Sequence, residues 1–490
     1  MSNYASVIGY DNINGDAEIL PTIETGGDTY TVNIIVNNAF KGCTGLTSIT
    51  ISGNVTSIGS YAFSGCSSLS SVTIGKGVTS IGNNAFYNTS PKKVFWLSNT
   101  PPNGYQNLVG AVNYVANDRY SYLTNVVVYP YLSSMFEVDG MKYVPVSPSE
   151  RTCDVIDCAY STENLNVGET VTYRGISLII KNIGPYYCYG NTFIKKATVR
   201  NQGSVGSHAF AGCTALQIIE LGQEITSIGN NAFANCTSIT EIQIPKKVTT
   251  IEDYVFSGCT GLKTIHVDIS RYALNLGSNG SNPLFADCPL DSVYIGRDIT
   301  YPTSSNKGCS PFYRNTTLRL LTIADNETEI SANEFYGCTN LKSVRIGDGM
   351  MVIGDRAFSG CNSLEYFAFG FNVKTIGKEV FSDCTALSRL ISRAIVPPTC
   401  GAQALDDINK WECTLVVPQD HIAAYQQADQ WKEFFFIEGR DFNDGIGEVK
   451  SEFATREDYY DLNGRKLSAP QKGINIIRYS DGTSRIVLLK

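Results

Sequence analysis

One phrase, Ile-Gly-x-x-Ala-Phe-x-Gly-Cys, recurs along this chain in two blocks at an almost fixed spacing. Within the blocks most neighbouring copies of its Phe are 23 residues apart, and only the steps into Phe285 and Phe312 are longer. A period of this length predicts a solenoid, because each unit is too small to bury its apolar face and must stack on its neighbours. The copies of the Phe are Phe40, Phe63 and Phe86, then Phe210, Phe233, Phe256, Phe285, Phe312, Phe335, Phe358 and Phe381.

Each repeat contains a short alternating stretch, as in residues 69–74. Val72 and Ile74 lie two residues apart, so they share one face of a strand and point into the core. Ser71 and Thr73 then point away from it. The repeat therefore predicts one strand per coil and a parallel sheet with about 4.8 Å between strands.

The Ala-Phe-x-Gly-Cys part of the repeat is too short for an ordinary helix. We expect a helical turn in which Ala62, Phe63 and Cys66 face inward and Gly65 permits a tight exit. Stacked coils would then arrange the Phe side chains in one ladder and the Cys side chains in another, with each buried Phe contributing about 1.5–3 kcal/mol.

The pattern Leu-x-x-Val-x-Ile, combined with Ala-Phe-x-Gly-Cys, resembles the bacterial leucine-rich repeats of the BspA-like type. The resemblance covers roughly residues 15–140 and 165–440, and the motif is specific because it recurs in register. It departs from the commonest leucine-rich repeat in that the Cys precedes the strand. The resemblance implies a β-rich α/β solenoid: a right-handed superhelix with a parallel sheet on one face, hairpin caps and a small C-terminal β-domain.

Two hairpin signals and two closing elements divide the chain. Residues 17–37 predict strands around Gly26-Gly27, and residues 170–180 have a Gly turn between alternating arms. Each block ends in a long loop, a strand and a short helix, as arrays of the resembled family usually do. The predicted domains are an N-terminal cap hairpin (1–37), a first array with its closing element (38–140), an intervening hairpin or cap (141–207), a second array with its closing element (208–440), and a linker with a C-terminal β-domain (441–490).

The C-terminal region departs from the repeat. Residues 441–447 predict a linker, whose acidic spacing is wrong for a calcium loop. Residues 458–490 contain strand patterns around Asn463-Gly464 and Asp481-Gly482, both strong turn signals. This region is similar to the small C-terminal β-domains of secreted anaerobe proteins, some of which are sorting signals for a dedicated secretion system.

Composition limits the partners and the location. With 490 residues and a net charge of −8, the chain lacks the clustered Lys and Arg of a nucleic-acid-binding protein. No apolar stretch is as long as a membrane span, and residues 1–10 lack the charged-then-apolar order of a signal peptide. The chain is therefore either an exported protein without its leader or a cytoplasmic protein, and the family resemblance favours a secreted or cell-surface protein.

The chain has 15 cysteines, which could indicate a disulfide framework. Nine of them share one repeat position, where stacked side chains point inward, so we expect a reduced ladder of small buried hydrophobes. A bridge between Cys153 and Cys158, outside the repeats, is left open. No CxxC pair exists and the chain has three His, so we expect neither a metal site nor a cofactor. The ladder cysteines are Cys43, Cys66, Cys213, Cys236, Cys259, Cys288, Cys338, Cys361 and Cys384.

Strand positions that point away from the core form an exposed surface, the usual binding face of leucine-rich solenoids. In the first block these positions hold small hydroxyl residues, Ser48, Thr50, Ser71 and Thr73. In the second block, aligning the Val-x-Ile pairs predicts a central row, with Tyr366 on a flanking row, and these positions interleave aromatic, charged and amide groups, a mixture that suits recognition of a protein or a glycan. The predicted central row is Glu220, Gln243, His266, Tyr294, Thr322, Arg345 and Ala368. Ordinary solvated strand residues are the alternative interpretation for each of them. The candidate ligand-binding residues are Glu220, Gln243, His266, Tyr294, Arg345 and Tyr366.

His266 and Asp268 lie two residues apart on one strand and could suggest a catalytic triad with Thr264 or Ser292. Neither a nucleophile elbow nor a glycine-rich phosphate loop accompanies them, so we expect no enzyme. The prediction is a non-enzymatic binding protein. The resemblance to BspA-like proteins implies adhesion to host extracellular-matrix proteins or to other cells. A glycan- or peptide-capturing component of a nutrient-uptake system and a structural spacer are the alternatives.

Overall fold

A computed structural model gives the architecture of the chain. It describes residues 3–9, 13–108, 112–116, 119, 123, 125–158, 162–277, 283–301, 310–442, 457–460, 466–467, 473–479 and 484–489. The chain divides into two compact units: unit 1 comprises Met1–Ala159 and Thr170–Gly190, and unit 2 comprises Tyr160–Glu169 and Asn191–Lys490. Parallel sheets with one strand per repeat dominate both units, so the predicted β-solenoid is confirmed.

Two parallel sheets run along unit 1. We call the sheet that carries the Val-x-Ile strands the front sheet, and the other the rear sheet. The front sheet pairs, in this order, Gly15–Ile19, Leu46–Ile51, Ser71–Ile74, Lys93–Trp96, Val112–Val115 and Val126–Val128. The rear sheet pairs Tyr4–Val7, Asp28–Ile35, Ser57–Ile58 and Ser80–Ile81. Thr22–Thr25 is antiparallel to Asp28–Ile35, which confirms the opening hairpin.

The intervening segment of unit 1 forms further strands. Phe136–Val138, Met141–Ser147 and Thr152–Asp157 follow one another as antiparallel neighbours. Ile176–Ile183 pairs in parallel with the last of these, and Thr170–Tyr173 folds back antiparallel on Ile176–Ile183. The second predicted hairpin is therefore also confirmed.

Unit 2 repeats the arrangement of front and rear sheets over more coils. Three of its front strands form one parallel sheet, Asn164–Val167, Lys196–Val199 and Ile218–Leu221. Nine others form a second parallel sheet, Glu241–Ile244, Thr264–Val267, Ser292–Ile295, Leu320–Ile323, Ser343–Ile346, Tyr366–Phe369, Arg389–Ser392, Thr414–Pro418 and Phe436–Arg440. The rear strands pair as Ser204–Val205, Ser227–Ile228, Thr250–Ile251, Leu274–Leu276 and Ile299–Thr300, and as Glu329–Ile330, Val352–Ile353, Thr375–Ile376 and Thr399–Cys400.

Helical structure is scarce among the described residues. They contain one α-helix, Ile422–Tyr425, and four 3-10 helices, Tyr105–Asn107, Leu132–Ser134, Gln419–His421 and Trp431–Glu433. The α-helix lies between the last two front strands of unit 2. The strand Thr414–Pro418 followed by this short helix matches the order of strand and short helix predicted for the end of the second block.

An antiparallel sheet follows near the C-terminus. Its strands are Glu457–Tyr460, Lys466–Leu467, Gly473–Tyr479 and Ser484–Leu489. The predicted turns at Asn463-Gly464 and Asp481-Gly482 lie outside the described residues, as does most of the predicted linker at 441–447.

The prediction of a helical turn at Ala-Phe-x-Gly-Cys is wrong. The segment instead forms successive tight turns, such as the one closed by the Cys66 N–H donating to the Phe63 carbonyl at 3.2 Å. Between these turns, the Phe63 and Gly65 amides donate to the carbonyls of Ala85 and Tyr87 in the next coil, at 2.7 and 2.8 Å. An α-helix would use these amides internally. The motif glycine is explained by its backbone, because Gly65 has φ of 76°, a conformation that residues with a Cβ adopt at a cost of about 1–2 kcal/mol.

The predicted Phe ladder is present in both units. In unit 1 the rings of Phe40, Phe63 and Phe86 stack with 5.0 Å between neighbouring centroids. In unit 2 neighbouring ladder rings are 5.1–6.3 Å apart and within 21° of parallel. Each ring is at most 4% exposed, so the ladder forms the centre of the core.

The cysteine ladder is reduced, as expected, and its thiols have a shared hydrogen-bonding role. The nine ladder cysteines are unbridged and buried. The Sγ of Cys66 lies 3.1 Å from the Phe40 carbonyl of the preceding coil, and the same bond joins Cys236 to Phe210. A thiol therefore fills a small apolar site and also donates to a buried carbonyl, which Ala or Val could not do.

The disulfide left open by the sequence is not the local one. Cys158 is bridged to Cys188, with 5.8 Å between their Cα atoms, and Cys153 is free and buried. Cys153 lies within the extended strand Thr152–Asp157 and Cys158 directly follows it. Five residues of extended chain span about 16 Å, which is too far for a bridge.

We expect the ladder thiols to resist alkylation in the folded protein at pH 8. Burial raises the pKa of Cys66 to about 11 and that of Cys259 to about 12, so the reactive thiolate is scarce as well as inaccessible. The measurement is mass-spectrometric mapping of N-ethylmaleimide labelling, with the urea-unfolded protein as the control in which these peptides label. Rapid labelling of ladder peptides in the native protein would contradict the buried, reduced ladder.

Candidate functional site

The front sheet of unit 1 is largely covered by its own chain. Ser71 and Thr73, predicted to be exposed, are only 3% and 2% exposed, which corrects that prediction. Their register neighbours Lys93 and Phe95 are fully buried. The reason is a second apolar cluster, in which front-sheet side chains pack against the intervening segment: Phe95, Val112, Tyr114, Leu132, Val144 and Ile156.

A buried charge cluster holds the intervening segment of unit 1 on this sheet. Lys93 forms an ion pair with Asp157 and also donates to the Tyr187 carbonyl. The Lys142 Nζ lies 3.2 Å from the second Asp157 oxygen and 4.7 Å from the centre of the Phe95 ring. Burial acts to raise the pKa of Asp157, but the two lysines outweigh it and lower that pKa below its usual value.

In unit 2 the central row of the predicted face lies in register. Gln243, His266, Tyr294, Thr322, Arg345 and Ala368 are successive partners across the nine-stranded sheet. Tyr366 lies on the flanking row, between Ser343 and Arg389. Glu220 lies in the separate three-stranded sheet, where it pairs with Thr198. The structure thus brings four of the six candidates into one row. Of the other two, Tyr366 lies on the neighbouring row of the same sheet, and Glu220 lies in the three-stranded sheet that precedes it in the chain.

His266 and Tyr294 form an aromatic pair on this row. Their rings are 4.4 Å apart and within 7° of parallel. The His266 Nε2 lies 3.6 Å from Asp268 Oδ1, and the amide of Gln243 donates to that same oxygen at 2.7 Å. Burial, followed by Asp325 and Asp268, raises the pKa of the Tyr294 hydroxyl, so the hydroxyl remains a neutral hydrogen-bonding group.

Glu220 is an exposed carboxylate with ordered partners. Its oxygens accept from the Lys196 Nζ at 2.6 Å and from the Thr198 hydroxyl at 2.8 Å. These hydrogen bonds are the main cause that lowers the pKa of Glu220, and the charges of Lys196 and Arg200 add to them. Glu220 is therefore ionised at neutral pH and is held in an ion pair with Lys196.

Arginines surround Tyr366 at the other end of the face. Burial raises the pKa of its hydroxyl, while the positive charges of Arg345, Arg389 and Arg440 act to lower it. Arg389 is the register partner of Tyr366 on the next strand, and Arg440 ends the last strand of the sheet. Neither Arg389 nor Arg440 was among the residues predicted from the sequence; both lie after Phe381, the last copy of the repeated Phe.

Catalysis, metal binding and a membrane-spanning helix have little support among the described residues. His266 and Asp268 are near each other, yet the strand-borne hydroxyls of Thr264 and Ser292 sit on the flanking row rather than beside the imidazole. No group of three or more His, Cys, Asp or Glu is arranged to hold a metal ion in the part of the chain that is described. Over the same residues, no helix is long and apolar enough to span a membrane.

The fold defines a class: a parallel β-solenoid of leucine-rich repeats with one open face in unit 2. The sequence matches the family described as BspA type leucine rich repeat region, in 6 copies over residues 29–103, 181–312 and 308–395. These ranges cover more than half of the chain, so the protein belongs to the BspA-type leucine-rich repeat family. No curated protein matches the sequence.

Similar solved structures come from several bacteria. A leucine-rich repeat protein from Bacteroides ovatus is 19% identical, with 88% of this chain and 95% of that one covered and a TM-score of 0.36. A leucine rich cell surface protein from Faecalibacterium prausnitzii is 23% identical, with 80% and 90% covered and a TM-score of 0.25. The pneumococcal vaccine antigen PcpA is 16% identical, with 66% and 86% covered and a TM-score of 0.31.

Proposed function

We propose that this chain is a non-enzymatic binding protein that recognises a protein partner through the open front sheet of unit 2. One observation carries the proposal: the row through His266, Tyr294 and Arg345 is accessible and chemically mixed, whereas the equivalent face of unit 1 is closed by its own intervening segment. Aromatic and arginine side chains on a rigid sheet are the groups that dominate protein recognition.

Secretion or surface display, and adhesion to host matrix proteins or other cells, form the finer part of this proposal. Membership of the BspA-type family supports it, together with the adhesive role that the resemblance implies. Capture of a glycan is the alternative, and its specific feature is the His266–Tyr294 pair: the rings face each other, so their polar edges, the imidazole nitrogens and the Tyr294 hydroxyl, are the groups that would meet sugar hydroxyls.

The test is loss of binding in a front-face variant. We expect the double variant Tyr294→Ala/Arg345→Ala to bind an immobilised panel of collagen, fibronectin and laminin at least about tenfold more weakly than the parent, since truncating central interface residues costs more than about 1 kcal/mol. Surface plasmon resonance measures the change. A glycan array run in parallel separates protein recognition from glycan capture.

Rear-sheet variants supply the control. Thr250→Ala and Thr375→Ala alter side chains on the rear strands of the same unit and should leave binding unchanged. Equal losses in front and rear variants, or no change in either, would exclude the front sheet as the recognition surface. Binding confined to glycans would replace adhesion to proteins with the glycan-capture alternative.

A further inference from the structure

Three aromatic side chains are exposed at the C-terminal end of the front sheet of unit 2. Trp411, Phe435 and Phe436 are 73%, 63% and 48% exposed. The rings of Trp411 and Phe435 are 5.2 Å apart, and those of Phe435 and Phe436 meet edge to face at 5.0 Å. Isolated exposed apolar residues are ordinary, but a contiguous aromatic group of this kind marks an interaction surface.

Phe436 of the aromatic group shares a sheet row with Tyr366 and Arg389. In register, Tyr366 pairs with Arg389, Arg389 with Thr414, and Thr414 with Phe436. The row therefore places a cationic group and an apolar group within a few strands of each other on one face. We call Tyr366, Arg389, Trp411, Phe435 and Phe436 together the aromatic–arginine patch.

Charge is distributed unevenly along this face. The chain has a net charge of −8, and at the other end of the face Glu241 and Asp268 are acidic while Glu220 is neutralised by its ion pair with Lys196. Near the patch, Arg345, Arg389 and Arg440 all act on Tyr366. Arg389 has Glu438 at 4.0 Å, a longer separation than in a tight surface ion pair, and Glu438 is itself 60% exposed. A positive region on an acidic protein attracts negatively charged partners and repels other positive ones.

We propose that the aromatic–arginine patch docks an acidic segment of a partner protein, with carboxylates on the arginines and apolar side chains on the aromatic group. This inference rests on the proposed function and names the chemistry of its partner. Guanidinium groups match carboxylates in geometry and charge. A sulfated glycan would satisfy the arginines but would leave the edge-to-face Trp and Phe group without apolar contacts, so the combination favours a protein segment. Trp and Arg are also the residues most enriched at energetic hot spots of protein interfaces.

The test uses the full chain and a fluorescein-labelled peptide composed of Glu, Asp, Leu and Phe. We expect saturable binding by fluorescence anisotropy, weakened about thirtyfold by Arg389→Glu and by Trp411→Ala, as for hot-spot residues. Binding should also weaken as NaCl rises from about 0.05 M to about 0.5 M, because the ionic contacts are screened. The matched controls are Lys374→Glu, an equal charge reversal beside a rear strand, and Phe193→Ala, an aromatic that is 60% exposed elsewhere in unit 2.

Intrinsic fluorescence gives an independent measurement. The chain has three Trp; Trp96 and Trp431 are fully buried, so acrylamide should quench Trp411 selectively. The acidic peptide should protect Trp411 from quenching, and a peptide with Lys in place of each acid should not. Lack of quenching in the free chain would show that the C-terminal sheet covers the patch and would overturn the inference.

Several binding results would overturn the proposed docking of an acidic segment on the aromatic–arginine patch. Failure of the acidic peptide to bind, or binding that Arg389→Glu and Trp411→Ala leave unchanged, overturns the inference, as does heparin binding that depends on Arg389 but not on Trp411. A dimer in light scattering that Trp411→Ala dissociates assigns the patch to a second copy of the chain instead. If Tyr294→Ala/Arg345→Ala loses matrix-protein binding while the patch variants retain it, only this inference fails and the proposed function stands.

Discussion

Replacing Phe233 with Ala should destabilise unit 2 by about 3–5 kcal/mol. Phe233 is fully buried and its ring lies between Phe210 at 5.6 Å and Phe256 at 6.1 Å. The coils on either side are joined by backbone hydrogen bonds, including the Phe210 N–H to the Ala232 carbonyl at 2.8 Å. Because these bonds fix the spacing of the coils, the structure cannot collapse into the space that the ring leaves.

Because the chain divides into two compact units, its global unfolding cannot be treated as a two-state transition. Native-state hydrogen exchange at increasing urea, followed on the neighbouring strand Glu241–Ile244, reports the opening of unit 2 itself. The control is Tyr272→Ala, which truncates an aromatic that is 49% exposed in the same unit and should change stability by less than about 0.5 kcal/mol. A loss below about 1 kcal/mol in Phe233→Ala would mean that the ladder is not a rigid part of the core.

The repeat was sufficient to predict the stacking of coils because its period fixes the register directly. Aligning Val-x-Ile pairs predicted that His266, Tyr294 and Arg345 share a row, and the strand register agrees, even across the two longer steps. The conformation of the Ala-Phe-x-Gly-Cys turns was not predictable in the same way. Two of the five amides of this segment, those of Phe63 and Gly65, bond to the next coil, and the sequence of one repeat does not identify such a partner.

Two features of the face depend on contacts that the period does not encode. The closure of the front sheet in unit 1 rests on Lys93 and Asp157, which are 64 residues apart, and Asp157 lies outside the repeats. The exposed Trp411 and Phe435 lie in the non-repeating closing element of unit 2, so an alignment of repeats passes over them. Side chains that look similar in sequence, such as Thr73 and Thr322, therefore differ in exposure because of segments remote from both.

Lys93→Met should destabilise unit 1 by about 3–5 kcal/mol, because it leaves the Asp157 carboxylate buried without its main partner. Lys142, at 3.2 Å from the other carboxylate oxygen, remains and should keep the loss toward the lower end of this range. Hydrogen exchange of the strand Lys93–Trp96 measures the effect within unit 1. The double variant Lys93→Met/Asp157→Leu removes both charges from the buried site and should recover most of the lost stability. A double variant as unstable as Lys93→Met would show that the packing of the lysine side chain, rather than its charge, holds the intervening segment.

The pH dependence of the same ion pair has a defined sign. The pKa of Asp157 is lower in the folded protein than in the unfolded chain, where it is about 3.9. The stabilisation is therefore fully present above the unfolded pKa and is lost as the pH falls through the folded pKa, since the unfolded chain then binds the proton more readily. Exchange of Lys93–Trp96 should accelerate, relative to the intrinsic rate, in the parent at pH below about 4. The Lys93→Met/Asp157→Leu variant should lack this part of the acid sensitivity, because neither titrating partner remains, and an identical acid response in the two proteins would assign it to carboxylates elsewhere in unit 1.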